Sequence, residues 1–548
     1  MRYLFSLFFF LIISQLGAQS TDIPLNSPAY QIFDRWDAQG EAALFTTVKP
    51  ISRRYFADGL TSTINQKSSK ITAEIDFIRL ETSDYQDSLP LKAKPLFGRF
   101  FKNPADLFSV SSEDFDLHVN PIVVLGAARE EGRDLLFENY RGLEIRGTID
   151  NKVSFYTMLT ENQARYAGYV QAVTDSTLGV PYEGFWKQYQ NTGVDFLRAQ
   201  AYIDVNVTDH IGAQFGYGKH FIGDGRRSLI LSDFGNNYPY LRLNTRVWKI
   251  QYTNIFAQLI GETQGGTFGL RGTGAFTKKQ LATHHLSIQA SKNLTIGLFE
   301  SVIYGDSTGQ TKIGYFNPLM FYRALEQQDG SSDNVLLGLD AKWNLWNRVS
   351  LYGQLVIDEL IVGEVFSNSG WWGNKQGFQV GAKYFDALGI SSLNVQAELN
   401  KVRPYVYGHE TNFSSYSHYN QALAHPLGAN FREVLLAANY QPLPKLTIFS
   451  DVLLAKYGND TNGLSYGRDI LETYLPSNRP GDYGNDMFQG VTTDLLMIQV
   501  RASYAVMHNM VIDVNFTHRA ENDSNSDIQT NIFGMTYRWN FPYRSYLF

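Results

Sequence analysis

The densest concentration of charged and amide side chains in this 548-residue chain lies between residues 216 and 246. The stretch reads GYGKHFIGDGRRSLILSDFGNNYPYLRLNTR, and its glycines allow a tight backbone. Amide, carboxylate and guanidinium groups can hydrogen-bond sugar hydroxyls, aromatic rings can pack on the apolar face of a sugar, and Arg can hold an anionic sugar with two bonds. The same groups can instead form an internal salt-bridge network that pins a loop. The residue types favour the two interpretations about equally.

The candidate binding residues fall into two groups. Those within the stretch are Lys219, His220, Asp224, Arg226, Arg227, Asp233, Asn236, Asn237, Tyr238 and Arg242. Polar residues near the ends of neighbouring predicted strands complete the set: Arg141, Glu161, Asn162, Arg323 and Glu326. We expect all of them at the outer mouth of the fold.

Patterns that would indicate catalysis are weak. Residues 305–309 (GDSTG) match a nucleophile elbow, but they lie where a predicted strand enters a long loop, and that motif needs a strand-turn-helix context. His409-Glu410 lacks the second His of a zincin, and His284 and His285 are adjacent. The carboxylate pair Asp358-Glu359 fits a rim better than a glycosidase site. The sequence therefore predicts no enzyme, no catalytic residue, no metal and no cofactor.

The elements that must position the polar stretch are strands. From about residue 115 onward apolar and polar residues alternate, as in residues 337–345, 393–400 and 510–517. Strands of about ten residues with one apolar and one polar face are those that a barrel with lipid outside and water inside requires. Short turns recur near Lys249, Asn293 and His508, among others, and alternate with long connections. This alternation is typical of periplasmic turns and extracellular loops, and it predicts about eighteen antiparallel strands.

The composition supports a membrane barrel. The chain has 33 Tyr, 37 Phe, 8 Trp and 46 Gly, no Cys, and a formal net charge of -6, which does not suggest nucleic acid as a partner. No segment after the first residues is long and apolar enough for a spanning helix. Aromatic girdles combined with only alternate apolar residues are typical of outer-membrane barrels. A soluble exported β-protein fits this composition less well.

The N-terminal part differs from the rest of the chain. Arg2, the apolar run 4–13 and the small residue Ala18 predict a signal peptide over 1–18, cleaved near Ala18. Residues 19–110 are predicted to form a small periplasmic bundle of three short helices that begin at Ser27, Ser52 and Ser69, followed by a proline-containing connector. Residues 111–548 are predicted to form the barrel.

The last predicted strand carries an aromatic face. Phe533, Met535, Tyr537, Trp539 and Phe541 alternate, and Gly534-x-x-Tyr537-x-Trp539 matches the pattern by which the barrel assembly machinery recognises its substrates. An ordinary aromatic edge strand is the alternative. Together with the signal peptide, the pattern favours a protein that is inserted into the outer membrane.

Much of the mature chain resembles a known family. The run GYGKHFIGDGRRSLILSDFGNNYPYLRLNT is similar to the Wzi family of capsule-assembly outer-membrane proteins, and closest to the branch of the gliding-motility protein RemB. Other matching pieces are IPLNSPAYQIFDRW (23–36), FDLHVNPIVVLG (115–126), YRGLEIRGTIDNKVSFYTMLTENQ (140–163), YFNPLMFYRALEQQ (315–328) and NVLLGLDAKWNLW (334–346). The resemblance implies an eighteen-stranded barrel with N-terminal helices, and a lectin-like role in organising surface polysaccharide.

Three functions follow as expectations. The first is binding of extracellular polysaccharide at the outer mouth, in capsule or exopolysaccharide assembly. The second is a cell-surface role in gliding motility or adhesion, with another protein as the main partner. The third is a porin-like channel, which we consider least favoured because the long loops near 163–194, 306–333 and 403–430 can cap the lumen and the N-terminal helices can block it from below. Outer-membrane lipid is a partner in all three.

Overall fold

The computed structural model describes residues 20–41, 44–64, 72–85, 105–150, 152–261, 276–305, 312–330 and 333–548. The predicted signal peptide, Ser69 and most of the 305–309 motif lie outside these residues.

Within the described residues, eighteen long antiparallel strands form a closed barrel, which confirms the predicted fold class. The strands are β1 (Phe115–Glu130), β2 (Leu136–Ile149), β3 (Val153–Arg165), β4 (Gly193–Asn206), β5 (Ile211–Gly218), β6 (Tyr238–Val247), β7 (Ile250–Ile260), β8 (Lys278–Gln289), β9 (Leu294–Tyr304), β10 (Asn334–Leu345), β11 (Val349–Glu359), β12 (Lys375–Tyr384), β13 (Leu393–Val402), β14 (Phe431–Leu443), β15 (Leu446–Asn459), β16 (Val491–Met507), β17 (Met510–Asn522) and β18 (Asp527–Trp539). Strand β18 pairs with β1, from Ile532 opposite Glu130 to Trp539 opposite Val123, and closes the ring.

Alternation along each strand separates a lipid face from a luminal face. On β10, Leu339 is 45% exposed and points outward, whereas its neighbour Asp340 and the next luminal residue, Lys342, are each 5% exposed. Outward apolar and inward polar residues are what a transmembrane barrel needs. Among the described residues no helix combines the length and apolarity needed to cross a bilayer.

The N-terminal helices are α1 (Pro28–Ala38), α2 (Arg53–Ile64) and α3 (Thr72–Glu81). Ser27 caps α1, because its hydroxyl accepts a hydrogen bond from the Ala29 amide and Pro28 follows at the first helical position. The helices pack through Phe33 and Phe56, whose ring centroids are 3.9 Å apart. They lie at the short-turn end of the barrel, where Asn509 donates to Glu81 at 2.8 Å. Short turns mark the periplasmic end of such barrels. The predicted domain boundaries at residues 18 and 110 remain predictions.

Short elements lie in the long loops, in one short turn and in the segment before β1. The helices are α4 (Gly168–Thr177), α5 (Tyr322–Asp329) and α6 (Val362–Ser367). Residues Phe108–Ser111 pair with β1, Lys187–Tyr189 pair with β4, and Ser417–His418 pair with Gln421–Ala422. Single 3-10 turns are formed by Ser83–Tyr85, Ile313–Phe316, Ala387–Gly389 and Asn412–Ser414.

Residues 306–333 were expected to help cap the mouth. The described part of this loop, residues 312–330 with α5, lies instead on the outside of the wall. The Tyr322 amide donates to the outward-facing Glu300 of β9 at 2.8 Å, and the Tyr322 ring stacks on His284 of β8. Tyr252 of β7 donates to the Pro318 carbonyl. Burial of Tyr315 and Tyr322 against these strands accounts for the placement.

Several described segments of the chain enter the lumen. Residues 44–53 enter from the periplasmic end, residues 219–237 cross the interior, and residues 540–548 turn back into it. The predicted shared face of the last strand is outward at Phe533, which is 64% exposed, but it does not include Phe541, which is 9% exposed. Asn540 adopts a left-handed φ of 52°, and the chain reverses so that Phe541 packs on Tyr140 inside the barrel.

Candidate functional site

The predicted polar stretch forms a crossbar through the barrel, which we call the luminal strut (residues 219–237). It leaves the wall after β5 and reaches the far side, where Arg227 Nη2 lies 2.9 Å from Glu433 Oε1 on β14 and Arg226 Nη2 lies 3.0 Å from Asp451 Oδ1 on β15. Because β5 and β15 lie on opposite sides of the ring, the strut spans the whole lumen.

The centre of the strut is apolar and fully enclosed. Ile222, Leu229, Ile230 and Leu231 have no exposed surface. Gln354 on β11 donates to the Ile222 carbonyl at 3.0 Å and accepts from the Leu229 amide at 2.8 Å, so one wall residue holds both limbs of the strut. This core rigidly fixes the charged residues on either side of it.

The N-terminal segment adds a second layer to the strut. Val48–Lys49 pair with Phe221–Ile222 as a two-stranded antiparallel sheet, and Lys49 Nζ donates to the Gly223 carbonyl at 2.6 Å. The glycine at 225 is required by close packing, because a Cβ there would lie 2.4 Å from a Glu398 carboxylate oxygen. Gly225 therefore serves packing within the lumen.

Buried charges of the strut are matched by specific partners. Glu433 also accepts from His425 and from Asn400, each at 2.9 Å. Asp224 accepts from Thr47 at 2.9 Å, and although burial raises its pKa, the nearby Lys342 and Lys49 ammonium groups lower the pKa of this carboxyl below its usual range. The contacts of Asp224 therefore stabilise its ionised form.

The basic residues at the start of the strut are similarly enclosed. Lys219 Nζ donates to the carbonyls of Tyr182 at 2.8 Å and Gly235 at 2.8 Å, and burial lowers its pKa to about 7. His220 has no exposed surface and contacts the Tyr238 hydroxyl at 3.2 Å; burial lowers its pKa well below the usual range, so it is neutral. Neither side chain is available to a ligand at the outer surface.

The remaining residues of the stretch are also tied internally. Asp233 accepts from Asn26 at 2.7 Å, and Asn237 donates to the Ala199 carbonyl at 2.6 Å. Asn236 accepts from the Asn237 amide, and Arg242 pairs with Asp22 at 3.0 Å. Of the two interpretations of the stretch, the internal network describes its geometry.

The structure does not bring the five outlying candidates to the strut. Arg141 and Glu161 face outward on β2 and β3, 3.9 Å apart, with side chains 55% and 57% exposed. Asn162 is buried and donates to the carbonyls of Thr160 and Phe196. Arg323 and Glu326 pair with each other on α5, outside the wall. Strand parity places Arg141 and Glu161 on the outer face of the wall, and the fold of residues 312–330 places Arg323 and Glu326 outside it. Asn162 faces the lumen three residues before the loop end of β3, and its role in binding stays a prediction.

A cavity of about 620 Å³ remains below the strut. Its lining comes from α1, from periplasmic turns, from residues 540–548 and from Arg226. The Arg226 side chain is 26% exposed there and keeps its Asp451 partner. Lys219, Asp224 and Asp233 of the strut and Tyr182 of the loop between β3 and β4 also line this space.

Two sets of residues escape sequence reasoning. One is the set of luminal wall carboxylates that anchor the strut: Glu398, Glu433 and Asp451. Their positions in the alternating pattern of their strands predict that they face the lumen, and this is the sequence signal that could have identified them. The other is Asp84, Asp106 and His118, whose potential metal-ligating atoms lie within 4.8 Å of one another. Arg146 lies among them, 2.9 Å from both Asp84 and Asp106, and supplies the positive charge that the carboxylates need.

The fold and the strut define a class: a transmembrane β-barrel of the outer-membrane type whose lumen is filled by its own chain. In overall structure the protein is similar to Wzi of Escherichia coli, described as an outer-membrane protein involved in group 1 capsule assembly and a carbohydrate-binding β-barrel. The TM-score is 0.57 at 15% identity, over 97% of this chain and all of that one. At this identity the similarity establishes the fold.

Two further similarities are to porins. Pseudomonas aeruginosa OprD matches 77% of this chain and 94% of its own with a TM-score of 0.42 and 10% identity, and a BenF-like porin from Pseudomonas fluorescens matches 77% of this chain and 98% of its own with a TM-score of 0.41 and 9% identity. The chain matches no protein-family model and no curated protein sequence.

Proposed function

We propose that this protein is a non-enzymatic outer-membrane barrel that binds extracellular polysaccharide and holds it at the cell surface. The observation that carries the proposal is the filled lumen: in the part of the chain that the structure describes, the strut joins opposite walls and encloses an apolar core. A barrel closed in this way is poorly suited to passing solutes, so its exposed extracellular loops are where it meets ligands. The end-to-end similarity to a carbohydrate-binding barrel supports sugar as that ligand.

The mechanism that we propose is multivalent. A single sugar contact is weak, but many barrels in one membrane meet the same long polymer, and each bound unit raises the effective concentration of the next. The strut contributes rigidity rather than contact. It holds strands β5, β14 and β15 at fixed spacing and so fixes the loops that these strands carry.

Polysaccharide retention by whole cells tests the proposal. Cells that lack the protein are expected to shed polysaccharide into the medium, whereas complemented cells keep it on their surface. The total amount of polysaccharide synthesised should be equal in the two. The measurement is the ratio of cell-bound to released polymer. An unchanged ratio, with impaired surface spreading, would contradict the proposal and favour the motility role instead.

A further inference from the structure

Three neighbouring long loops join into one surface at the extracellular end. Residues 360–374 connect β11 to β12, residues 403–430 connect β13 to β14, and residues 460–490 connect β15 to β16. The first and third are latched by backbone hydrogen bonds: the Trp372 amide donates to the Asp482 carbonyl at 2.9 Å, and the Asn485 amide donates to the Gly370 carbonyl at 2.8 Å. The surface is therefore rigid although it is built from loops.

Aromatic rings and buried cations form the base of this surface. The Trp372 ring packs against Tyr474, with centroids 4.8 Å apart, and the Arg479 guanidinium lies 4.2 Å from the Trp372 centroid. Lys375 Nζ lies 4.1 Å from the Tyr474 centroid. Cations on aromatic faces hold the rings in place, so their orientation does not depend on a ligand.

The upper side of this base is open. Trp371 and Trp372 are partly exposed, and Tyr483, which follows Asp482 in the latched segment, is 60% exposed. We call Trp371, Trp372 and Tyr483 the rim platform. The Asp482 carboxylate accepts from Arg479 at 3.1 Å, and its side chain remains 59% exposed, so it can also accept from a ligand hydroxyl.

The charge of the three loops limits what the platform can attract. They contain seven carboxylates and three arginines, a formal charge of -4. The carboxylates are those of Glu364, Glu410, Asp460, Asp469, Glu472, Asp482 and Asp486. The arginines are Arg403, Arg468 and Arg479, and all three arginines are buried or half-buried. An anionic sugar would meet repulsion here, whereas a neutral sugar would not.

We propose that the rim platform binds uncharged pyranose units of the surface polysaccharide, with the apolar sugar face on the indole rings and a hydroxyl donating to Asp482. This inference rests on the proposed function and names its subsite and sugar class. It differs from the sequence-based expectation, which relied on the arginines of the strut to attract an anionic glycan.

The test uses purified full-length protein in detergent micelles and extracellular polysaccharide isolated from the cells that make it. The polymer is used as isolated and after chemical reduction of any uronic acid carboxyl groups that it carries. Trp371→Ala and Tyr483→Ala are each expected to weaken binding by about fivefold, since an aromatic contact is worth about 1 kcal/mol. The matched control is Trp346→Ala, which removes an 81% exposed indole from the opposite, periplasmic end.

Four results decide the matter. Wild-type protein should bind the carboxyl-reduced polymer at least as tightly as the native one, and raising the salt concentration should not weaken binding. Loss of binding on carboxyl reduction would overturn the neutral-sugar assignment. Equal affinity of Trp371→Ala, Tyr483→Ala and wild type would overturn the platform while leaving the proposed function standing. Failure of wild-type protein to bind either polymer would instead count against the proposed function itself.

Discussion

Arg227 fixes the far end of the luminal strut, and its removal should destabilise the barrel. It pairs with the fully buried Glu433 and donates to the Leu547 carbonyl. Replacing it with Met would leave a buried carboxylate without its main cation, which costs about 3–5 kcal/mol. We expect Arg227→Met to lower the temperature at which the folded, fast-migrating band is lost on a gel.

The matched control is Arg323→Met, since Arg323 is 52% exposed in its pair with Glu326 and such pairs contribute about 0–1 kcal/mol. Equal transition temperatures for the two variants would show that the strut is not held by this charge. Arg226→Ala and Arg227→Ala are therefore unsuitable as binding probes, because lost structure would be mistaken for lost affinity.

Single residues also mark where sequence reasoning stops. The residue types in 219–237 were identified, but Arg227 and Glu433 are 206 positions apart, and nothing local specifies their pairing. The exposure of Arg141 was predictable in principle, since it shares strand parity with the outward-facing Leu143. Strand parity alone therefore places Arg141 on the outer face of the barrel.

At the scale of elements, Glu81 couples helix α3 to the barrel. His508 Nε2 lies 3.0 Å from its carboxylate and Arg53 Nη1 lies 3.4 Å away. Burial raises the pKa of Glu81, but the His508 hydrogen bond and the Arg53 charge outweigh it and lower the pKa from 4.5 to about 2. Because the folded pKa lies below the unfolded one, the stabilisation is complete above pH 4.5 and is lost as the pH falls towards 2.

Hydrogen exchange in α3 measures this coupling. Protection of the helix amides, corrected for intrinsic exchange, should fall between pH 4.5 and 2 by about 3 kcal/mol, the equivalent of the pKa shift. Glu81→Gln should lower protection at neutral pH and remove most of this pH dependence. Asp76→Asn is the control, since Asp76 is more exposed in its pair with Arg79. If Glu81→Gln leaves the pH dependence of protection intact, that dependence arises from another group and the proposed coupling through Glu81 is contradicted.

Elements were the most predictable level of this structure. The two-residue period needs only neighbouring residues, so it predicted strands such as 334–345 and 393–402 well. Ser27-Pro28 predicted the start of α1 for the same reason. The paths of the loops were not predictable, because whether residues 312–330 cover the mouth or the outer wall depends on tertiary packing against β7, β8 and β9.

At the scale of the whole molecule, the lumen is filled by more than the N-terminal helices. If those helices alone blocked the lumen, deleting residues 19–110 would open the barrel. In the structure, residues 219–237 and 540–548 also occupy the lumen, and the strut is bonded to opposite walls. Deleting 19–110 is therefore expected to leave conductance low, and replacing residues 219–237 with a short Gly-Ser turn in addition should raise it.

The filled lumen is the feature on which the surface-binding role depends, and conductance across a planar bilayer tests it most directly. Purified full-length protein is inserted and the current is recorded at fixed voltage. The predicted result is no large steady current from the full-length protein, with clear steps appearing only after the strut is replaced. Large, steady, porin-like currents from the unmodified protein would contradict the filled lumen and restore the solute channel as the leading function.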